Sequence, residues 1–166
     1  MTLGYFKKIL ILTFVRFNRM EKPDNRIIEF IKKHHVLTMA TSTSDGPWCA
    51  NCLYAYLNDE DTLIFTSDEN TRHMQEAVLN PNVAGSIVLE TETIGKIQGI
   101  QFEGILLKPQ ESFLGKYKKA YLLRFPYAII SSSPIWTIAL THIKFTDNRL
   151  GFGKKLIWKK ELNELS

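Results

Sequence analysis

The sequence is poor in the residues and motifs that mark many classes of enzyme. Only two cysteines, Cys49 and Cys52, occur among its 166 residues, so no disulfide framework is indicated. The four histidines show no zinc-ligand spacing, and the G-x-S-x-G turn, the P-loop and the G-x-G-x-x-G fingerprint are absent. These absences argue against a zinc enzyme, a serine hydrolase, a P-loop NTPase and a Rossmann oxidoreductase, and no metal site is predicted.

Long apolar runs are also absent. No apolar segment approaches the roughly 20 residues that a membrane-spanning helix needs, so no membrane span is predicted. The hydrophobic share of 45% and the charged share of 23% are ordinary for a globular protein, and the length suits one domain. Together with the scarcity of cysteine, this composition predicts a cytoplasmic protein.

The net charge of +4 comes from one end of the chain. Residues 1–19 hold four of the 21 basic residues and no acidic residue, which leaves 17 basic residues to balance 17 acidic ones. Because a nucleic-acid-binding domain needs a basic surface, no nucleic-acid partner is predicted. We expect residues 1–19 to be an extension outside a single domain that spans residues 20–166. The apolar run at residues 9–15 leaves a membrane-surface anchor as an alternative.

Short β-forming segments dominate the remainder. Turn signals and β-forming residues predict six strands at 36–43, 48–57, 62–67, 83–89, 94–107 and 135–145, with 154–160 as a candidate seventh. Helices are predicted after Asp24, at 71–79 and at 110–124. The glycines within 94–107 indicate a bulge or bend of the kind that barrel closure needs. This pattern predicts a mainly β fold, a β-barrel with peripheral helices.

The segment 65–73 is the strongest candidate for a binding site. A strand ends in hydroxyl residues, and a helix then begins near Thr71 and Arg72. The free N–H groups and the positive dipole of a helix N-terminus favour phosphate. Thr66, Ser67 and Thr71 supply neutral donors, and the arginine can bind phosphate oxygens with two parallel hydrogen bonds. The alternative is an ordinary capped helix with a solvated arginine.

The spacing of Cys49 and Cys52 fits the C-x-x-C pattern of redox and zinc sites. The pair falls within a predicted strand, however, where residues three apart point to opposite faces. No second pair of cysteines exists to complete a zinc site. We therefore interpret the two thiols as packed side chains without a joint function.

A set of short motifs spread over residues 20–160 resembles one known group of proteins. This part of the chain is similar to the pyridoxamine 5′-phosphate oxidase-like, FMN-binding split-barrel proteins. Within that superfamily it looks most like a small uncharacterised bacterial family related to Escherichia coli YhbP. The resembling motifs are Trp48-Cys49-Ala50-Asn51, Thr71-Arg72-His73, Gln101-Phe102-Glu103-Gly104, Lys119-Ala120-Tyr121, Arg124-Phe125-Pro126 and Ile143-Lys144-Phe145-Thr146-Asp147-Asn148.

The resemblance implies a more specific fold and a cofactor. Proteins of this superfamily form a six-stranded antiparallel Greek-key split barrel. They dimerise and hold FMN at the subunit interface. The resemblance therefore implies a homodimer that binds FMN, a small planar ligand.

The resemblance also implies which residues contact the flavin. In the superfamily, the flavin phosphate lies near a strand-end threonine and a serine-arginine-lysine run at the next helix start. Thr66 matches the strand end, Thr71 and Arg72 match the serine and the arginine, and His73 stands where the lysine would be. The predicted cofactor-binding residues are Ala50, Asn51, Cys52 and Leu53 along the isoalloxazine edge, Phe65, Thr66, Ser67, Thr71, Arg72 and His73 at the phosphate, and Gln101 (or Gln98) and Lys154.

The motif that true pyridoxamine phosphate oxidases use on their substrate is altered. Arg149 and Leu150 match its arginine and leucine, but Gly151 stands at the histidine position. Thr146 replaces a tryptophan that contacts FMN. The resemblance therefore implies that this chain does not oxidise pyridoxamine phosphate efficiently.

Three hypotheses for the function remain open at this stage. The first is a flavin-dependent oxidoreductase of unknown substrate, for which the sequence identifies no catalytic residue. The second is a non-enzymatic protein that binds flavin or haem, with His73, or His34 and His35, as haem ligands by analogy with the fold. The third is a dimeric scaffold that has lost its ligand.

Overall fold

Three helices surround one seven-stranded sheet in the part of the chain that the structure, a computed structural model, describes: residues 22–130 and 132–160. The predicted extension, residues 1–19, lies outside the described residues. The helices are α1 (Asn25–Lys33), α2 (Arg72–Leu79) and α3 (Glu111–Arg124). The strands are β1 (Val36–Thr43), β2 (Gly46–Leu57), β3 (Thr62–Thr66), β4 (Asn82–Val88), β5 (Gln98–Leu107), β6 (Ile135–Asp147) and β7 (Lys155–Lys159). None of these helices is long and apolar enough to span a membrane.

Pairing between β3 and β6 closes the sheet into a barrel. The strand order is β3-β2-β1-β4-β5-β6-β7, and all neighbouring strands are antiparallel. Strand β6 pairs with three strands. Strand β5 lies along one edge, and the 13 residues of β6 are enough for positions 135–139 to pair with β3 and positions 142–146 with β7 along the other edge. The mainly β, antiparallel fold is therefore as predicted, but the sheet has seven strands and not six. The candidate strand at 154–160 is the seventh, and it lies outside the closed ring.

The inward-facing side chains of the strands form one hydrophobic core. Side chains alternate between the two faces of a strand, so in β1 Leu37 and Met39 are fully buried whereas Val36 is half-exposed. Helix α1 adds Phe30, whose ring centroid lies 5.1 Å from that of Phe145. A second, smaller cluster lies under α3 and consists of Ala55, Ile64, Tyr121 and Ile135.

The predicted strand at 94–107 is four residues too long at its start. Ile94–Lys96 form a short 3₁₀ turn instead, and β5 begins at Gln98. The Asn148 side chain donates a hydrogen bond to the Ile94 carbonyl (2.8 Å), a tertiary contact that the local sequence does not reveal. The predicted irregularity within this strand is confirmed, because the pairing of β5 with β6 shifts between Glu103 and Gly104.

We expect Gly104→Ala to destabilise the barrel at this shift. A Cβ at Gly104 would lie 2.5 Å from Cγ2 of Ile138 and 2.8 Å from the Ala139 carbonyl oxygen, so both neighbours would have to move. Overpacking of this kind lowers the free energy of unfolding by about 1–3 kcal/mol, which urea denaturation measures.

Gly115→Ala is the matched control, because no atom outside the adjacent residues and the local backbone of α3 lies within 4 Å of a Cβ at this position. Alanine there should leave stability unchanged or raise it by up to about 1 kcal/mol. A Gly104→Ala protein as stable as the wild type would contradict the tight packing at the bulge.

Candidate functional site

The first half of β2 has a free edge. Residues 46–53 of β2 pair with β1, whereas β3 pairs with β2 only from Tyr54 to Leu57. In the described part of the chain, therefore, no strand lies along the other side of residues 48–53. Because the Tyr54 N–H donates toward β1, to the His35 carbonyl, the backbone groups of Asn51 and Leu53 face the opposite, open side. This edge can donate and accept hydrogen bonds.

Helix α2 begins where β3 ends. Strand β3 stops at Thr66, and a five-residue turn leads to Arg72, with Thr71 at the N-cap. Within the described residues, the backbone N–H groups of Arg72 and His73 have no hydrogen-bond acceptor. These two donors lie at the positive end of the helix dipole, which is a favourable environment for an anion.

Hydroxyl and imidazole groups gather at the same helix start. Ser67 Oγ lies 2.8 Å from His73 Nε2 and 3.4 Å from Thr71 Oγ1. Thr71 Oγ1 donates to the Asp68 carbonyl oxygen at 2.8 Å and lies 3.3 Å from His73 Nε2. The structure thus brings together three of the residues predicted to surround a phosphate. Thr66 is different, because its hydroxyl donates to Tyr121 Oη at 3.2 Å.

The Arg72 side chain is held on two sides. Its Nε donates to Glu76 Oε1 at 2.7 Å, and its guanidinium carbon lies 4.2 Å from the centroid of the Trp48 ring. Glu76 Oε2 in turn accepts a hydrogen bond of 2.6 Å from the Thr41 hydroxyl on β1. Glu76 and Thr41 were not among the predicted site residues. The four-residue spacing of Arg72 and Glu76 was the only local signal, since such pairs meet on a helix surface.

The charges within α2 itself balance. Burial lowers the pKa of His73 below its ordinary value of 6.5, so the imidazole is neutral at pH 7. Hydrogen bonds from Thr41 and then from Arg72 lower the pKa of Glu76, which keeps the carboxylate ionised. Arg72 and Glu76 therefore carry opposite charges, and His73 adds none. An anion at this site would be bound by oriented donors more than by a net positive charge.

The predicted ring-contact residues lie on β2 with alternating exposure. Asn51 and Leu53 are exposed, Ala50 is half-buried and Cys52 is buried in the core. Burial raises the pKa of the Cys52 thiol to about 11, while Cys49 is exposed on the opposite face. The two thiols therefore point apart, as expected from their spacing, but only one of them is packed. Among these side chains, that of Asn51 makes a polar contact, because its oxygen accepts a hydrogen bond of 2.8 Å from the Thr38 hydroxyl.

Three other predicted residues are less well placed for side-chain contacts. Phe65 is fully buried in the core and is paired with Tyr54 on one side and Trp136 on the other, so neither its side chain nor its backbone faces a ligand. Gln101 is exposed on β5, which is the third strand from β2, and Lys154 lies on the turn before β7. The alternative, Gln98, is buried and donates to Asp147 at 3.0 Å. Within one chain, Gln101 and Lys154 are thus separated from the start of α2.

A largely apolar groove of about 620 Å³ lies beside α2. Its wall includes Trp136, whose indole N–H donates to the Ser67 carbonyl oxygen at 3.2 Å. Val78 and Leu79 of α2 are also part of this groove, and both are more than half-exposed. No pattern in the sequence predicted this groove. The described residues contain no group of histidine, cysteine and acidic side chains able to hold a metal ion.

Two sequence relatives decide the family of this chain, although no family model matches it. A UPF0306 protein of Photorhabdus laumondii is 40% identical over 134 residues, which cover 81% of this chain and 94% of the relative. A UPF0306 protein of Yersinia pseudotuberculosis is 36% identical over 143 residues, or 85% of this chain and 97% of the relative. The chain belongs to the UPF0306 family.

Solved structures with the same fold include ligand-binding proteins. This UPF0306 chain is similar to a haem-binding protein of Mycobacterium smegmatis, with a TM-score of 0.65 and 19% identity over 81% of this chain and 57% of that one. It is also similar to a FAD-binding protein of Mesorhizobium loti, with a TM-score of 0.62 and 10% identity over 77% and 97% of the two chains. A third similar structure is a NimC/NimA family protein of Clostridium acetobutylicum. Its TM-score is 0.60 and its identity is 18%, over 81% of this chain and 90% of that one. At these identities the likeness shows the split-barrel fold alone.

We expect the imidazole of His73 to titrate below pH 6.5 in the folded protein, as an NMR pH titration of its C2–H signal would show. The fold disfavours the protonated form, so this histidine removes stability as the pH falls through 6.5, and the loss is complete below the folded pKa. His73→Gln should reduce the loss of stability between pH 7 and pH 5 in urea denaturation. A His73 signal that titrates at or above 6.5 would contradict the burial of this ring.

Proposed function

We propose that this UPF0306 protein binds FMN, with the phosphate at the start of α2 and the isoalloxazine along the open edge of β2. One observation carries the proposal. The end of β3 at Thr66 leaves residues 48–53 of β2 without a strand partner and at the same time starts the turn that leads to α2. An anion site and a strand edge that can form hydrogen bonds therefore lie next to each other.

The residues at the start of α2 fit a phosphate group. The backbone N–H groups of Arg72 and His73 supply two donors, and the half-exposed guanidinium supplies a planar fork suited to phosphate oxygens. The hydroxyls of Ser67 and Thr71 lie at the same corner. The His73 ring would contribute a hydrogen bond and not a charge, because burial keeps it neutral.

The open edge of β2 fits the polar edge of a flavin ring. The backbone groups of Asn51 and Leu53 face this edge and alternate between donor and acceptor. A flavin ring carries donors and acceptors along one edge in the same way, so its recognition needs no particular side chain here. The backbone groups of Ala50 and Cys52 alternate with these and face β1, so the proposal assigns the ring contact to Asn51 and Leu53.

A homodimer is part of the proposal. The face of the barrel formed by β1, β2, β4 and β5 carries small and polar side chains and an open groove of about 430 Å³. Val36, Leu53 and Val88 are each about half or more exposed on these strands. A second copy on this face would cover them, and it would bring its own Gln101 or Lys154 toward the flavin.

The chemistry of the proposed protein is that of its cofactor. Bound FMN supplies hydride or electron transfer, and the protein binds and orients it. We therefore propose a flavin-dependent oxidoreductase of unknown substrate, with no catalytic side chain assigned. Gly151 stands where pyridoxamine phosphate oxidases have a histidine, so oxidation of pyridoxamine phosphate is not expected. We also propose that this chain is related to Escherichia coli YhbP, as the resemblance of its motifs implies.

Haem binding and a ligand-free scaffold are the weaker candidates. Haem binding is favoured by the fold shared with the haem-binding protein of Mycobacterium smegmatis. However, His73 Nε2 is hydrogen-bonded to Ser67, and the ring of His34 packs 4.2 Å from that of Phe30. The exposed His35 is the remaining histidine of the three considered as haem ligands. The flavin proposal accounts for more of the site than either alternative.

We expect Arg72→Ala to weaken FMN binding about tenfold or more. A hydrogen bond to a charged group contributes about 1.5–3 kcal/mol, and 1.4 kcal/mol corresponds to a factor of ten. Fluorescence titration with FMN and with riboflavin, which lacks the phosphate, measures the effect. The loss should appear for FMN and not for riboflavin.

Arg26→Ala is the matched control for this experiment. The side chains of Arg26 and Arg72 are 48% and 49% exposed, and each is paired with an acid nearby in sequence. Arg26, however, lies on α1. FMN affinity should be unchanged in this variant. Equal affinity of the wild type for FMN and riboflavin would contradict a phosphate site at α2.

We expect Val36→Glu to convert the dimer to a monomer, because a charge would be buried at the proposed interface. Size-exclusion chromatography with light scattering measures the mass. Leu107→Glu is the control, since Leu107 is 49% exposed and Val36 is 50% exposed, but Leu107 lies at the far end of β5. A wild-type monomer, or a Val36→Glu dimer, would contradict this interface.

A further inference from the structure

Glu76 is a buried carboxylate at the edge of the proposed phosphate site. Its side chain is only 11% exposed, although it lies in an eight-residue helix near the surface. Carboxylates are almost never this buried unless they are paired. No residue role assigned so far explains why an acid is placed beside a site for an anion.

Two hydrogen bonds fix the orientation of this carboxylate. Oε2 accepts from the hydroxyl of Thr41, which is itself 2% exposed within β1, so the anchor belongs to the rigid sheet. Oε1 accepts from Nε of Arg72 at 2.7 Å. Glu76 therefore connects the body of the barrel to the arginine at the helix start.

A third contact limits the remaining freedom of the arginine. The Trp48 ring lies against the guanidinium, with 4.2 Å from its centroid to the guanidinium carbon. With Nε engaged by Glu76 and one plane covered by Trp48, the guanidinium has a defined orientation. Its two terminal nitrogens form no hydrogen bond to the described residues, and they are the atoms that would bind phosphate oxygens in parallel.

We propose that Glu76 is a positioning residue that holds the Arg72 guanidinium in the orientation that binds the flavin phosphate. This inference rests on the proposed flavin-phosphate site and assigns the determinant of its specificity for phosphorylated flavin. Glu76 acts through Arg72 and does not contact the ligand. Arginine carries many rotamers, so an arginine fixed before binding loses less conformational entropy when the phosphate binds.

A purely repulsive role for Glu76 would change the affinity for FMN in the opposite direction. A carboxylate that acts only through its charge repels the phosphate, so its neutralisation would strengthen FMN binding. A carboxylate that positions Arg72 strengthens binding, so its neutralisation would weaken it. The sign of the change in affinity therefore separates the two roles.

The first experiment compares FMN and riboflavin affinities of the wild type and Glu76→Gln by fluorescence titration. We expect the preference for FMN over riboflavin to fall about fivefold, with riboflavin affinity unchanged. Thr41→Val, which removes only the hydroxyl that anchors Glu76, should lower the preference in the same direction by a smaller factor. Glu29→Gln, an exposed acid on α1, is the control and should change neither affinity.

The second experiment repeats the Glu76→Gln substitution in the Arg72→Ala background. If Glu76 acts through Arg72, the double variant should have the same FMN preference as Arg72→Ala alone. An unchanged or increased preference in Glu76→Gln, or an equal loss in both backgrounds, would overturn the inference.

The wild-type titration separates a failure of the proposed phosphate site from a failure of the positioning role of Glu76. A wild type that binds FMN no better than riboflavin overturns the phosphate site, and with it the role of Glu76. A wild type that prefers FMN, together with a Glu76→Gln variant that keeps this preference, overturns only the positioning role. Circular dichroism of each variant verifies that the barrel is folded.

Discussion

The pairing of β3 with both β2 and β6 is the constraint on which the rest of the structure depends. β3 has five residues and is paired along both edges, and its first four side chains are buried because the barrel core covers one face of the strand and the cluster under α3 covers the other. Closing the ring with so short a strand leaves the longer β2 partly unpaired. Because β3 ends at Thr66, the chain enters the turn before α2 at this point. The free edge and the free helix N-terminus are thus two results of one short strand.

A second contact fixes the start of α2 against the β-sheet. Thr41 lies on β1, next to the unpaired part of β2, and its hydroxyl holds Glu76 of α2 at 2.6 Å. Because hydrogen bonds to charged groups are strong, this contact ties the helix to the sheet in addition to Met74 and Ala77, which are buried in the core. The Trp48–Arg72 contact adds a link from the helix to β2 itself. The position of the Arg72 side chain is therefore set by the barrel, whereas Ser67 and Thr71 lie in the turn before α2.

Local patterns predicted the elements well and their assembly less well. Turn residues and β-forming runs placed every strand, and the hydroxyl-rich end of β3 located the helix start within one residue. The predicted start of β5 was wrong because the Ile94 carbonyl accepts a hydrogen bond from Asn148, a residue distant in sequence. The contacts of Glu76 were not predicted for the same reason, since its second partner, Thr41, is 35 residues away. Contacts across the barrel carry no local signal.

The histidine at position 73 changes how the corner can bind an anion. A lysine there would supply a charge that acts in all directions, whereas the neutral imidazole of His73 supplies one directional hydrogen bond and shares it with Ser67. The charge of Arg72 is partly offset by Glu76. In the proposed site, affinity for phosphate must then come from the alignment of the guanidinium and of two backbone N–H groups. Alignment is a property of the closed barrel, so the proposed binding depends on the same short strand that closes it.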